Sequence, residues 1–99
     1  MILSIDSTNN LKTIIRLGDL ELIKEYSKPR DQDVLGLIEQ IIKKAKINLK
    51  EIKAIKVNVG PGSFTGTRVG VAVANALAFA LGIKVNDKKL VYPVYDKIF

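Results

Sequence analysis

Apolar and polar residues alternate over the first quarter of the chain, and this period is typical of β-strands. Residues 1–5 form a short aliphatic run that predicts a first strand, and residues 11–17 alternate between apolar and polar positions. Residues 20–26 follow the two-residue turn Gly18-Asp19, a pattern typical of a β-hairpin. The pattern therefore predicts three strands that form an antiparallel meander.

Helical periodicity replaces this alternation in the middle of the chain. Apolar residues recur at three- and four-residue steps over residues 34–45, which predicts an amphipathic helix that Asp31 or Asp33 caps. Residues 48–52 form a short connector with room for one helical turn. Residues 54–59 then predict a fourth strand.

A second helix is predicted over residues 67–81, and Gly82 stands where a C-terminal glycine cap belongs. Residues 83–85 predict a short fifth strand, and residues 90–95 predict an extended tail. Three meander strands followed by helix, strand, helix and strand predict an α/β fold with a mixed five-stranded sheet and two main helices. The sequence leaves open whether the two helices lie on one face of the sheet or on opposite faces.

Small residues form two rows along the second helix, because residues four apart lie on the same side of a helix. The first row is made of Gly66, Gly70, Ala74, Ala78 and Gly82, and the second of Ala72, Ala76 and Ala80. A helix that is apolar on every side must be covered on every side. Because 99 residues supply little material for this, we expect one face to pack on the protein's own sheet and the other on a partner protein.

The composition removes several kinds of chemistry. The chain contains no cysteine and no histidine, which excludes disulfides, thiolate or imidazole catalysis and the usual zinc ligands. The first six residues lack the basic start of a signal peptide. The longest apolar run, residues 69–83, is shorter than the roughly 20 residues that a membrane span needs. We expect a cytoplasmic protein without a membrane partner.

The net charge of +6 comes mostly from lysine. Six lysines lie between the end of the first helix and the fourth strand, namely Lys43, Lys44, Lys46, Lys50, Lys53 and Lys56. This group fits an RNA or acidic-partner footprint. Cations near a helix C-terminus are also favoured by the helix dipole, however. Because no aromatic residues for base stacking lie among these lysines, we favour a solvated helix end.

A glycine-rich turn at residues 60–66 precedes the second helix. It has neither the Lys-Ser/Thr pair of a P-loop nor the third glycine of a dinucleotide fingerprint. Its amides and the hydroxyls of Ser63 and Thr65 point toward a helix start, where anions are stabilised, and Arg68 adds charge. Alternatively, the glycines let the chain turn sharply while Phe64 fills the core. The sequence leaves both interpretations open.

Residues 6–10, Asp-Ser-Thr-Asn-Asn, are predicted to link the first two strands. Their amides and hydroxyls fit a phosphate, with Asp6 holding a magnesium ion through water. Composition alone favours an Asx- or ST-turn that closes a hairpin. The candidate anion- or nucleotide-binding residues of the chain are Asp6, Ser7, Thr8, Gly62, Ser63 and Thr65. We assign no catalytic residue, no metal site and no cofactor.

Three segments together resemble the TsaB (YeaZ) family, and they span residues 2–8, 57–70 and 76–83. The Gly-Pro-Gly-Ser-Phe-Thr-Gly segment at residues 60–66, followed by Arg68 and Gly70, is highly specific to that family. The resemblance covers residues 1–85 almost continuously. It implies a single actin-like, sugar-kinase-like (ribonuclease H-like) lobe over those residues, with residues 86–99 as a C-terminal tail segment.

The same resemblance implies a role in making threonylcarbamoyladenosine in tRNA, next to the anticodon. It implies a non-catalytic scaffold that pairs with the transferase TsaD through two helices, which correspond here to residues 33–46 and 67–81. A homodimer through the same helices competes with that pairing, and an ATPase subunit is a further candidate for the complex. The tRNA is then reached only indirectly. The alternative is a nucleotide-binding ATPase- or kinase-like domain that uses the Asp6 hairpin and the glycine turn.

We expect the partner interface to be formed by the two helices. The residues assigned to it are Leu37, Ile41, Arg68, Gly70, Val73, Ala74, Leu77, Ala78 and Leu81. Two features depart from the family pattern. Family members are about twice this length, so we expect a miniature that lacks the second lobe but keeps the tail at residues 90–97. Relatives also often have a histidine where Gln32-Asp33 stands here.

Overall fold

The predicted meander forms strands β1 (Ile2–Asn9), β2 (Lys12–Leu17) and β3 (Leu20–Glu25) in the computed structural model, which describes residues 1–95. Both strand pairs are antiparallel, as predicted. β1 is longer than predicted, because residues 6–9 do not form a loop but continue the strand to a turn at residues 10–11. A shift in the pairing of β1 with β2 accommodates this extension.

Helix α1 (Val34–Ala45) has the predicted bounds. Of the two candidate caps, Asp33 is the one used, because its Oδ1 accepts a hydrogen bond of 2.9 Å from the Gly36 amide. Lys46 ends the helix in the left-handed conformation. The expected helical turn of the connector is a 3₁₀ turn at Leu49–Glu51.

Strand β4 (Ala54–Val57) is two residues shorter than predicted, and helix α2 (Phe64–Leu81) begins three residues earlier. The early start follows from Ser63, whose Oγ accepts a hydrogen bond of 3.1 Å from the Gly66 amide and so caps the helix. Gly82 adopts the left-handed conformation at φ 66° and ends α2, as predicted. Strand β5 (Lys84–Val85) completes the sheet.

The sheet has the strand order β3-β2-β1-β4-β5, with β1, β4 and β5 parallel. The connection through α1 runs from β3 to β4 and the one through α2 from β4 to β5, so both step across the sheet in the same direction. Because such crossovers are right-handed, both helices must lie on the same face. The sheet residues that pack under them are Leu3, Ile5, Ile15, Leu17, Ile55, Val57 and Val85. The sheet therefore has one helix-covered face and one helix-free face.

The first row of small residues on α2 faces the sheet. Gly66, Gly70, Ala74 and Ala78 are all buried. A Cβ atom at Gly70 would overlap Ser7 Oγ of β1, and one at Gly66 would overlap the Ser7 carbonyl oxygen. The helix backbone thus rests almost directly on the strand, and only glycine permits this approach.

By length and composition alone, α2 would qualify as a membrane span, with a mean hydropathy of 1.4 over 18 residues. The apolar run counted in the sequence was shorter because it began at Val69 and so left out the first turn of α2. Core helices of globular proteins meet the same criterion. Here one third of the stretch is buried, and the buried part covers the chain's own sheet.

Residues 90–95 lie back against α2 and the loop after β4. The Asn75 side chain accepts a hydrogen bond of 3.1 Å from the Val91 amide and donates one of 2.9 Å to the Val91 carbonyl. The Val94 amide donates to the Val59 carbonyl at 2.6 Å. Val91 belongs to the hydrophobic core, and Tyr95 forms an isolated parallel bridge with Gly62. The part of the predicted tail beyond Tyr95 lies outside the described residues.

The contact between α2 and β1 predicts a coupled pair of substitutions. Gly70→Ala should lower the free energy of unfolding by about 1–3 kcal/mol, because the new methyl group overlaps Ser7 Oγ. Ser7→Ala alone should lower it by about 1 kcal/mol through loss of a buried hydrogen bond. The double variant lacks the oxygen that the new methyl group overlaps. Its loss of unfolding free energy should therefore be smaller than the sum of the two single losses by about 1 kcal/mol. Urea unfolding followed by circular dichroism measures all three, and strictly additive losses would contradict the contact.

Candidate functional site

One side of α2 faces away from the sheet and is largely apolar. The exposed residues on this side, which we call the outer face of α2, are Thr65, Arg68, Val69, Ala72, Ala76, Phe79 and Ala80. With 3.6 residues per turn, they fall within an arc of about 120°. Phe79 is 90% exposed. No charged residue lies on the outer face beyond Arg68.

The outer face contains the second row of small residues. Ala72, Ala76 and Ala80 lie two positions from the buried row, which is a rotation of about 200° around the helix axis. The expectation that one face of α2 packs on the chain's own sheet is therefore confirmed. The expectation that a partner protein covers the outer face stays a prediction.

The predicted interface residues do not all lie on this outer face. Arg68 is exposed, and Val73, Leu77 and Leu81 are half-buried on the flanks of α2. The other five are buried in the chain's own core, namely Leu37, Ile41, Gly70, Ala74 and Ala78. The assignment of these five residues to the partner interface is wrong, because residues that the chain's own sheet and helices cover cannot also contact a partner.

The burial of the first row of small residues has a physical reason that the fold supplies. Glycine, rather than alanine, occupies positions 66 and 70, directly after a turn that must lie close to the end of β1. The smallest residues therefore mark the closest approach within the chain, not an approach to a partner. The interface predicted from the sequence also omitted Phe79. Its large apolar side chain, without polar neighbours on α2, was the signal that could have identified it.

Helix α1 contributes one exposed apolar residue. Its buried side consists of Val34, Leu37, Ile38 and Ile41, which pack on the helix-covered face of the sheet. On the other side, Leu35 is 53% exposed beside polar residues. The two helices lie side by side, so a partner on the outer face of α2 has α1 as its neighbour.

The glycine turn and the end of β1 are joined by hydrogen bonds. The Ser63 amide donates to the Thr8 carbonyl at 2.8 Å, and Ser7 Oγ donates to the Gly66 carbonyl at 2.7 Å. A Cβ atom at Gly62 would lie 2.6 Å from Thr8 Cβ. The fold therefore brings together five of the six candidate anion-binding residues, and it engages Ser7 and Ser63 in structural bonds.

Asp6 is held by Thr8 on β1 and by Asn58, which directly follows β4. One carboxylate oxygen accepts hydrogen bonds from Thr8 Oγ1 at 2.7 Å and the Thr8 amide at 3.0 Å, and the other accepts from Asn58 Nδ2 at 3.2 Å. Burial acts to raise the pKa of Asp6, but these hydrogen bonds and the charge of Arg16 outweigh it and lower the pKa below its ordinary value. Asp6 is thus a fixed, ionised acceptor.

Thr65 and Phe64 lie apart from this cluster. Thr65 is exposed on the outer face of α2, so it does not join the other candidate anion-binding residues. Phe64 does not fill the core, as one interpretation of the glycine turn required, because more than half of it is exposed. The centroid of its ring instead lies 4.5 Å from the ring centroid of Tyr95 in the tail. The Arg68 guanidinium lies 5.1 Å from the Phe64 centroid.

An open groove of about 500 Å³ lies on the helix-free face of the sheet. Asp6 borders it together with Asp87, and the cations Arg16 and Lys56 stand in the same lining. Among residues 1–95, no group of three or more acidic side chains comes close enough to hold a metal ion. The groove is thus a mixed-charge surface that does not include the glycine turn.

The family model that matches is TsaD, tRNA N6-adenosine threonylcarbamoyltransferase, over residues 24–87. The tRNA threonylcarbamoyladenosine biosynthesis protein TsaB of Haemophilus influenzae is 30% identical over 87 residues, covering 85% of this chain and 37% of that protein. The tRNA N6-adenosine threonylcarbamoyltransferase of Ralstonia pickettii is 43% identical over 85 residues, covering 78% of this chain and 24% of that protein. The structure of YeaZ from Pseudomonas aeruginosa superimposes with a TM-score of 0.71 at 26% identity, covering 85% of this chain and 41% of that one.

These relatives are much longer than the matched region. The chain spans 37% of the Haemophilus influenzae protein and 41% of the YeaZ chain. The structural likeness confirms the predicted fold, an actin-like, ribonuclease H-like lobe with a mixed five-stranded sheet and two helices. The family model covers well over half of the chain. This protein therefore belongs to the TsaB (YeaZ) and TsaD family of tRNA threonylcarbamoyladenosine biosynthesis proteins.

Proposed function

We propose that this chain is a non-catalytic scaffold that binds a TsaD-like transferase during threonylcarbamoyladenosine formation in tRNA, next to the anticodon. In this proposal the partner holds the nucleoside that is modified, and the chain stabilises the partner in the cytoplasm. Its similarity both to TsaB and to the transferase itself supports the assignment to this pathway.

The observation that carries the proposal is the outer face of α2. Burial of apolar surface contributes about 25 cal/mol per Å², so an exposed phenylalanine beside a row of alanines favours association. The alanines are short enough to let a second helix come close. Arg68 and Thr65 at one end supply the polar rim that protein interfaces usually have.

The pairing we propose places two helices of the partner against α1 and α2, which gives a four-helix bundle. A partner of the same fold presents an equivalent pair of helices, so an approximately two-fold arrangement is available to a heterodimer and a homodimer alike. The two assemblies therefore compete for one surface. An ATPase subunit, if it joins, has to use another part of the complex.

The absence of catalysis by this chain is supported by how its polar groups are used. The hydroxyls of Ser7 and Ser63 are engaged in hydrogen bonds within the fold, and Asp6 is bound by Thr8 and Asn58. A catalytic side chain must be able to give up its hydrogen bonds within the protein and bond to the substrate instead. These side chains instead join the end of β1 to the start of α2.

Substitution on the outer face should separate pairing from folding. Ala76→Arg places a charge at the centre of the proposed interface and should weaken association with the transferase at least about tenfold, or ~1.4 kcal/mol. The melting temperature should change little, because Ala76 is exposed. Size-exclusion chromatography with light scattering on the mixed proteins measures the pairing.

The matched control is Ile23→Arg, which adds the same charge at an exposed apolar residue of β3. Its direct partner across the sheet is Ile14, which lines the groove on the helix-free face. The control should pair with the transferase like the unmodified chain. If the Ala76→Arg variant paired with the transferase as tightly as the unmodified chain, the interface would lie elsewhere.

A nucleotide-binding domain is the alternative function, and the groove beside Asp6 is the observation in its favour. Arg16 and Lys56 supply positive charge there, and the volume of about 500 Å³ is in the range of small-molecule sites. Against it, the groove is open, and none of the residues 60–66 lines it, although Asn58 at its border accepts a hydrogen bond of 3.0 Å from the Gly60 amide. We therefore rank this alternative below the scaffold.

Calorimetric titration with ATP and magnesium decides between the two. The scaffold proposal predicts no binding tighter than about 1 mM, since one lobe supplies only one wall of a cleft. Binding in the micromolar range that Asp6→Asn and Lys56→Gln each weaken would favour the nucleotide-binding function instead. Lys89→Gln, on an exposed residue outside the groove, is the control.

A further inference from the structure

One edge of the molecule gathers most of the net charge. β1, β4 and β5 begin at this edge, and α1 and α2 end there. Six exposed lysines stand on it, which we call the basic edge, and they are Lys43, Lys44, Lys46, Lys50, Lys53 and Lys84. Lys56 is excluded, because it lies further along β4 in the groove of the helix-free face.

Backbone contacts bring Lys53 and Lys84 to the same end of the sheet. The Lys53 amide donates to the Met1 carbonyl at 2.9 Å, and the terminal ammonium of Met1 donates to the Glu51 carbonyl at 2.9 Å. Lys84 stands on β5 at the position paired with Ala54, the residue after Lys53. The starts of β4 and β5 therefore lie side by side, next to Met1 at the start of β1.

Two acidic residues lie at this edge. The Glu51 carboxylate caps the 3₁₀ turn by accepting from the Asn48 amide at 2.7 Å. Asp19 lies in the turn between β2 and β3, the two strands that α1 packs against. The six lysines, Glu51 and Asp19 together carry four of the chain's six net positive charges. Among residues 1–95, none of the six lysines forms a salt bridge.

The helix dipoles do not account for so much charge. Each helix C-terminus is equivalent to roughly half a negative charge, so two helix ends require about one lysine. α1 has two lysines in its last turn, and α2 has no basic residue in its own. Lys50, Lys53 and Lys84 lie outside both helices. The solvated helix end that the sequence favoured therefore explains only part of this surface.

We propose that the basic edge binds the phosphate backbone of the tRNA on which the complex acts. The inference rests on the proposed function, and it adds direct RNA contact to a chain that was expected to reach tRNA only through its partner. The edge carries lysine and no arginine. Lysine binds phosphate as a point charge and does not read bases, so the contact is independent of sequence.

The position of the edge suits this role. The two helices whose outer sides face the proposed transferase end at the edge, and Lys43 and Lys44 lie in the last turn of α1. RNA held by a partner on those helices would pass beside the lysines. The chain would then add affinity and orientation, while the reaction stays with the transferase.

The test measures binding of an unmodified tRNA transcript by fluorescence anisotropy between 50 and 200 mM salt, with the chain alone and mixed with the transferase. The edge variant combines Lys50→Gln, Lys53→Gln and Lys84→Gln. The control variant combines Lys24→Gln, Lys28→Gln and Arg30→Gln, which removes the same charge from exposed residues at and beyond the end of β3, at the opposite end of the sheet. Thermal melts should show that both variants fold.

The edge variant should bind about tenfold or more weakly, and the slope of log K against log salt should fall by roughly 2 to 3. The control should keep the slope of the unmodified chain. Equal weakening in both variants would overturn the proposal, because net charge alone would then explain binding. Competition by polyglutamate as strong as by tRNA would also overturn it and would assign the edge to an acidic protein.

Pairing with the transferase is read on the same samples by light scattering, which separates the two proposals. Retained pairing without edge-dependent RNA binding rejects only the further inference. Edge-dependent RNA binding without pairing rejects the scaffold function and leaves the basic edge as an RNA surface.

Discussion

The approach of α2 to β1 at Ser7 determines how the rest of the molecule is arranged. Gly66 and Gly70 leave no side chain between the helix and the strand, and Ser7 Oγ bonds to the Gly66 carbonyl in the space that remains. This contact fixes the rotation of α2 about its own axis. Because the rotation is fixed, Ala74 and Ala78 must lie in the core and the row at 72, 76 and 80 must face outward.

Side chains that imitate backbone hydrogen bonds complete the fold. Asn86 accepts from the Val57 amide at 2.9 Å and donates to its carbonyl at 3.0 Å, which continues the pairing of β4 beyond the end of β5. Asn75 does the same for Val91 of the tail. In the sequence, Asn75 is the one polar residue of the apolar run 69–83. In the structure it binds the tail along one flank of the outer face of α2, so its polarity has a partner within the chain.

Much of the fold could be predicted from the sequence, because it follows from periodicity and turn chemistry. α1 and the Gly82 cap were placed correctly, and the meander followed from alternation. The end of β1, the end of β4 and the start of α2 were misplaced by two to four residues. Residues 6–9 contain typical turn residues but continue β1, and α2 starts early because Ser63 caps it.

The candidate site was harder to predict than the fold. Spacing of four residues identified both small rows on α2, but it could not say which row faces the sheet. That choice depends on the position of Ser7, which is distant in sequence. The lysines were likewise counted correctly, while their grouping was changed by the fold, which adds Lys84 and separates Lys56.

The central claim is that one row of α2 belongs to the core and the other to a partner, and thiol labelling tests it most directly. The chain has no cysteine, so Ala74→Cys and Ala76→Cys each introduce a single reactive site. The account predicts that the thiol at position 74 stays unreactive in the folded chain. It predicts that the thiol at position 76 reacts freely in the chain alone and becomes protected when the TsaD-like transferase is added. Free reaction at position 74, or unchanged reaction at position 76 with the transferase at saturating concentration, would contradict the account.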